Sequence, residues 1–189
     1  FKRNLTVTVG SVNNPPVFSL SGDVTVSEDF AGTRSVTVTP AAVPDDEQNQ
    51  TVAYSLSPST VNFVNISFST TTGTVDFTAI PDRYGVQLFT ITANDGQSEN
   101  NTYSEQFMLT INPLNDPPTL NDIEDIYLPE GAGQQEIALT GISAGPFETE
   151  ANQFPLKIFA FSGKTENIPN PTVVPSDILT NTQTTATLR

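Results

Sequence analysis

The chain contains no cysteine, no histidine and no tryptophan, and it has a single methionine among 189 residues. The missing Cys excludes a disulfide scaffold and any thiolate metal site. The missing His removes the commonest general base and the commonest zinc ligand. Basic residues are also scarce: 7 Lys and Arg stand against 21 Asp and Glu, a formal net charge of −14. A phosphate backbone would be repelled by that charge, and no basic stripe offsets it, which argues against nucleic acid as a partner. No stretch approaches the ~20 apolar residues of a membrane span, so membrane insertion is not expected. No signal peptide is visible. The chain opens on FKRNLTVTV, inside a strand-like run, and so reads as a segment of something longer.

What is present is strand and turn chemistry. Thr, Val, Ser and Asn dominate, with 15 Pro and 11 Gly; these residue types favour pleated, half-buried surfaces and tight turns. With 36% hydrophobic residues and 12 Phe, the chain is able to build a core. An excess of carboxylates with little nitrogen suits hard cations such as calcium. The plainer explanation of the same acids is solubility.

Two Pro-Pro pairs, starting at Pro15 and Pro117, lie 102 residues apart. Sliding the chain by that distance lays LTVTVGSVNN (5–14) on FMLTINPLND (107–116) without a gap, and Glu28 on Glu130. One residue later in register, DDEQNQ (45–50) falls on ETEANQ (148–153), and TGTVDF (72–77) resembles TATLR (185–189). A period near 100 is too long for a solenoid and suits a string of sandwich domains. The expected division is residues 1–12 as the last strand of a preceding repeat, 13–16 as a linker and 17–113 as one complete repeat. A second linker follows at 114–118, and 119–189 form a truncated second repeat. The prolines fix φ and withhold backbone donors, which stiffens each junction.

Within 17–113, seven segments carry strand patterning: DVTVSE, SVTVTP, VAYSL, NISFS, TVDFTAI, GVQLFTITA and EQFMLTIN. Turn clusters such as SPST, TTTG, PDRYG and NDGQSENN separate them. Apolar-polar alternation in each predicts one buried and one wet face, as in antiparallel sheets, and about seven strands per repeat predict a two-sheet sandwich. Phe63, Phe68, Phe77, Phe89 and Phe107 are the expected core.

Alternate loops of a sandwich emerge at opposite ends. Asp45, Glu47 and Asp95 are therefore expected at the upstream end, beside the first linker. Asp82 is expected at the downstream end with Asn115 and Asp116, where the next repeat brings Glu148 and Glu150. Oxygen ligands from two repeats would then surround a stiff linker, and calcium takes 6–8 oxygens at ~2.3–2.6 Å. Each acid also has a simpler explanation. Glu28 would be a solvated strand-end residue, Asp45 and Glu47 turn formers, Asp82 an Asx-turn residue, and Asp95-Gly96 a common turn.

In order, these residues resemble the cadherin-like repeats of large bacterial surface and adhesin-type proteins. The pattern is an early Glu (Glu28), an Asp-x-Asp with a later Asn (Asp45, Glu47, Asn49), an Asp-Arg-Glu (Asp82-Arg83) and an Ala-x-Asp-Gly (Ala93 to Gly96). An Asn-Asp linker before Pro completes it (Asn115-Asp116). Glu130, and Glu148 and Glu150 with Asn152, fill the same roles in the next repeat. The resemblance implies tandem Greek-key antiparallel β-sandwiches, cadherin- or Ig-like, in an extracellular, cell-surface protein serving adhesion or spacing. It also implies Ca2+ at the junction of the two repeats (Glu28, Asp82, Asn115, Asp116, Glu148, Glu150, Asn152). An upstream half-site would hold Asp45, Glu47, Asn49 and Asp95. The chain departs from the pattern at Tyr84, which replaces the Glu of Asp-Arg-Glu, and at Asn13-Asn14, which carries no acid. Fewer ions and weaker binding are therefore expected. Tyr84 itself is expected to pack.

No nucleophile motif and no acid pair beside an aromatic cluster appears, so no enzymatic activity is expected. The rival expectation is a carbohydrate-binding module that stacks sugars on exposed Tyr54, Tyr103 or Tyr127. The expected partners are neighbouring repeats, with a homophilic, strand-swapped contact in which Asn4 to Val9 adds to the truncated repeat of another copy. The sequons at Asn4, Asn49, Asn65 and Asn100 carry no functional expectation, since a Thr- and Asn-rich chain produces them by chance.

Overall fold

A computed structural model describes residues 3–8, 10–145, 156–163, 165, 169–178 and 183–189. The chain forms two compact units, Phe1–Leu114 and Asn115–Arg189. All regular structure among the described residues is β. No helix among them is long and apolar enough to cross a membrane.

The first unit holds β1 (Phe18–Leu20), β2 (Val24–Ser27), β3 (Thr33–Val36), β4 (Val38–Pro40), β5 (Ala53–Ser57), β6 (Val64–Phe68), β7 (Val75–Ala79), β8 (Gly85–Asn94) and β9 (Thr102–Asn112). One sheet has the order β2-β9-β8-β5 and a second the order β3-β7-β6, with β1 and β4 as a separate pair. The alternation read in the sequence sets which face is dry. Phe89, Ile91 and Ala93 of β8 and Phe107, Leu109 and Ile111 of β9 point inward, as do Val75 and Phe77 of β7. Phe77 from one sheet meets Phe89 and Phe107 of the other at ring-centroid distances of 5.7 and 6.1 Å. Phe89 and Phe107 stack at 5.3 Å. Two sheets sharing one core are consistent with a β-sandwich. Phe63 is buried, and Phe68 and Tyr84 pack against the same core.

Three details differ from the expectation. First, the larger sheet is mixed: β2 runs parallel to β9, with Val24 opposite Leu109 and Ser27 opposite Asn112. A parallel pair needs a long crossover, which the rest of the unit between these two strands supplies. Second, SVTVTP breaks at Thr37. The part before it (β3) pairs with β7 and the part after it (β4) with β1, so one run serves two sheets. Strand β1 has only three residues, too few to show a period. Third, residues 3–8 make no strand ladder, and Leu5 and Val7 stand exposed. Alternation marks a run that fits a sheet, but a ladder also needs a partner edge.

The second unit holds β10 (Ile137–Leu139), β11 (Leu156–Lys157), β12 (Val173–Val174), β13 (Asp177–Ile178) and β14 (Ala186–Leu188). They form a β10-β14-β12 sheet and a β11-β13 pair around Leu139, Ile142, Ile178 and Ala186. Its three-stranded sheet follows the chain order of β3-β7-β6: an early strand, then the last, then an intermediate one. The entry segments match as well. Ala41 N donates to Val17 O in the first unit, and Thr119 bridges Ser143 antiparallel in the second, both partners displaced by 102 residues.

Candidate functional site

Two groups of acids lie at opposite ends of the first unit's strands, Glu28, Asp29 and Asp82 at one and Glu47 and Asp95 at the other, and the sheet register explains the downstream group. Because β2 and β9 run parallel, both chains leave the sheet on the same side. Glu28 N continues the ladder by donating to Asn112 O at 2.9 Å. Pro113 has no N–H, so the ladder stops there. The next donor, Leu114 N, gives its hydrogen to Glu28 Oε1 at 2.6 Å. Glu28 is only 5% exposed. It is therefore not a solvated strand-end residue: its carboxylate holds the segment that leaves the domain.

Asp29 and Asp82 stand beside this latch. Both adopt left-handed backbone, φ 56° and 57°, which Asp tolerates better than most residues. Asp82 N donates to Asp29 Oδ1 at 3.0 Å, and their carboxylates bring oxygens within 4.8 Å of each other. Asp29 was not singled out in the sequence. Its signal was the Glu-Asp pair directly after β2, where only the Glu matched the repeat pattern. Glu28, Asp29 and Asp82 are all-oxygen donors, which fits a hard cation such as Ca2+ and not a nitrogen- or sulfur-seeking metal.

At the upstream end, the turn Pro44–Gln50 is closed by Glu47 N to Pro44 O and Gln50 N to Glu47 O, each 3.0 Å. This turns the Glu47 side chain inward, where it is 5% exposed and Oε1 accepts Asn14 N at 2.7 Å. Asp95 follows β8 in an Asx-turn, Oδ1 accepting Gln97 N at 3.0 Å. Its Oδ2 accepts Asn13 Nδ2 at 3.0 Å. Ser11 donates to Asp46. Asp45 and Asn49 are exposed, and Asp45 accepts Gln48 Nε2 at 2.9 Å. So the structure brings Glu47 and Asp95 onto the same linker dipeptide and leaves Asp45 and Asn49 outside it.

Asn115 and Asp116 open the second unit, where Asn115 Nδ2 donates to Asp116 O at 3.1 Å. Glu148, Glu150 and Asn152 lie outside the described residues. Glu130, the counterpart of Glu28, is exposed. Glu130 itself belongs to none of the strands of its unit.

The tyrosines correct one expectation. Tyr54 is buried, 7% exposed, and packs edge-on against Phe18, because β5 turns it into the core. Tyr103 is half-buried, packs on the same Phe18 and donates its hydroxyl to Glu105 Oε1 at 2.5 Å. That hydrogen bond, then burial, then the Glu105 charge raise the Tyr103 pKa above its ordinary value. Burial does the same for Tyr54. Of the three, only Tyr127 stands fully open to solvent. In comparisons with known proteins, the chain matches no family model and no curated protein.

Proposed function

We propose that this chain is a non-catalytic structural segment of an extracellular surface protein, built from tandem cadherin-like sandwich repeats and stiffened by Ca2+ at the downstream end of the first unit. The carrying observation is Glu28, a buried carboxylate spent on the backbone of the segment leaving the domain. Beside it, Asp29 and Asp82 repel each other in the absence of a cation, and a bound divalent ion would convert that repulsion into attraction. Asn115 and Asp116, next in the chain, carry the same oxygen chemistry. The tandem reading is supported by the shared entry register and sheet order of the two units.

The test is thermal unfolding across a calcium titration, with chelator as the zero point. A ligand that binds only the folded state stabilises it by RT ln(1 + [L]/Kd). We expect the midpoint to climb through the ~10⁻⁴–10⁻³ M range of extracellular calcium modules, and the climb to vanish in Asp82→Asn. A flat wild-type curve would overturn the calcium part of the reading.

A further inference from the structure

We infer that the upstream end of the first unit is locked by hydrogen bonds of the Asn13 side-chain amide, which do the joining there with no ion. This goes beyond the downstream calcium reading and does not depend on it.

Asn13 Nδ2 faces three acceptor oxygens: Asp95 Oδ2 at 3.0 Å, Glu99 O at 3.0 Å and Asn100 O at 3.2 Å. All three lie at the end of β8 and in the turn that follows it. On its other side, Asn13 Oδ1 accepts Gln50 Nε2 at 2.8 Å, from the turn before β5. The main chain is held too: Asn100 Nδ2 donates to Asn13 O at 3.0 Å, and Asn14 N donates to Glu47 Oε1 at 2.7 Å. One dipeptide thus ties together two loops far apart in sequence. The amide orientation follows from chemistry, since a carboxylate and two carbonyls only accept, and the group facing them must be the NH₂.

The chemical consequence turns on charge. Asp95 is 5% exposed, and a buried carboxylate needs donors or a counter-ion. Gln97 N serves Oδ1, and the Asn13 amide serves Oδ2 together with the two carbonyls, with no net charge. Among the described residues, no three carboxylates of this end bring oxygens within 4.8 Å of one another. An Asp at position 13 would place a second carboxylate against the same oxygens and remove the amide donors, leaving Asp95 only Gln97 N. A divalent cation between the two carboxylates would then turn their repulsion into attraction and close the ring again. Residue 13 therefore decides whether this end depends on metal.

The experiment uses the full chain carrying Asp82→Asn, which silences the proposed downstream site, with and without Asn13→Asp. In chelator, Asn13→Asp is expected to lower the unfolding midpoint by about 5 °C or more, and millimolar calcium is expected to restore it. Equal midpoints in chelator would overturn the lock. A loss that calcium does not restore would overturn the equivalence of amide and cation. A second measurement needs no variant. In the unsubstituted chain in chelator, the Asn13 side-chain NH₂ should exchange with solvent about tenfold or more slowly than an exposed amide. Exchange at the exposed rate would also overturn the lock. Failure of the calcium reading shows separately, as a flat titration of the unsubstituted chain.

Discussion

Leu114 gives its backbone N–H to the buried carboxylate of Glu28 at 2.6 Å, across 86 positions of the chain. The bond exists because β2 and β9 run parallel and Pro113 interrupts the ladder between them. Glu28→Ala removes the acceptor and with it the charge-assisted bond that ties Leu114 to the sheet. Hydrogen bonds to charged groups are worth about 1.5–3 kcal/mol, so urea unfolding in chelator should show a loss of that size. Glu28→Gln keeps an acceptor and should lose less. A Glu28→Ala variant as stable as the parent in chelator would remove the latch and leave Glu28 without a metal-free role.

The β content, the core phenylalanines and the parting of Glu47 and Asp95 from Asp82 were legible because each rests on a local signal: a period of two, a turn cluster, alternate loops. The parallel β2–β9 pair was not legible, since a run such as DVTVSE carries no mark of direction. The break at Thr37 was hidden for a related reason: both halves of SVTVTP alternate, and only the partner strands decide that they part. Asn13 was read as the missing acid of a calcium linker. Its actual partners, Asp95, Glu99 and Asn100, meet it only through the fold. The misplacement of Tyr54 has the same origin, because alternation says that one face is buried without saying which tyrosine occupies it.

Asp82 offers a test of charge alone. Its left-handed φ of 57° suits Asn at least as well as Asp, and its backbone N–H to Asp29 Oδ1 survives the change. Asp82→Asn therefore relieves like-charge repulsion without disturbing the turn. In chelator and low salt the variant should be more stable than the parent by about 0.5 kcal/mol, and the gain should shrink as salt rises. A loss of stability would mean that the carboxylate makes a contact worth more than the repulsion.

Gly73 and Gly96 separate backbone strain from crowding. Both have positive φ, +71° and +78°. A Cβ at Gly73 would sit 2.6 Å from Val38 Cγ2 and 3.0 Å from Tyr54 Cδ1, whereas one at Gly96 meets nothing within 4 Å. Gly96→Ala should cost only the left-handed penalty, about 1–2 kcal/mol. Gly73→Ala adds overpacking of the core and should cost about 1–3 kcal/mol more. Equal losses in urea unfolding would mean that the β4–β5 side chains yield freely, and that the turn between β6 and β7 is not wedged against them.

Tyr103 supplies a pH dependence with a defined sign. Its hydrogen bond to Glu105, followed by burial and the Glu105 charge, raises its pKa above the ordinary value of 10.0. The folded state therefore holds this proton more tightly than the unfolded chain does. The resulting stability is fully present below the unfolded value and is lost as pH rises through the higher folded one. Phenolate absorbance should show Tyr103 ionising late. In Glu105→Gln the carboxylate is gone, so Tyr103 should ionise at lower pH while Tyr54, raised by burial alone, stays where it was. A Glu105→Gln titration that overlays the parent's would show that the hydroxyl does not rest on Glu105. Both tyrosines moving together would instead report loosening of the Phe18 contact that they share.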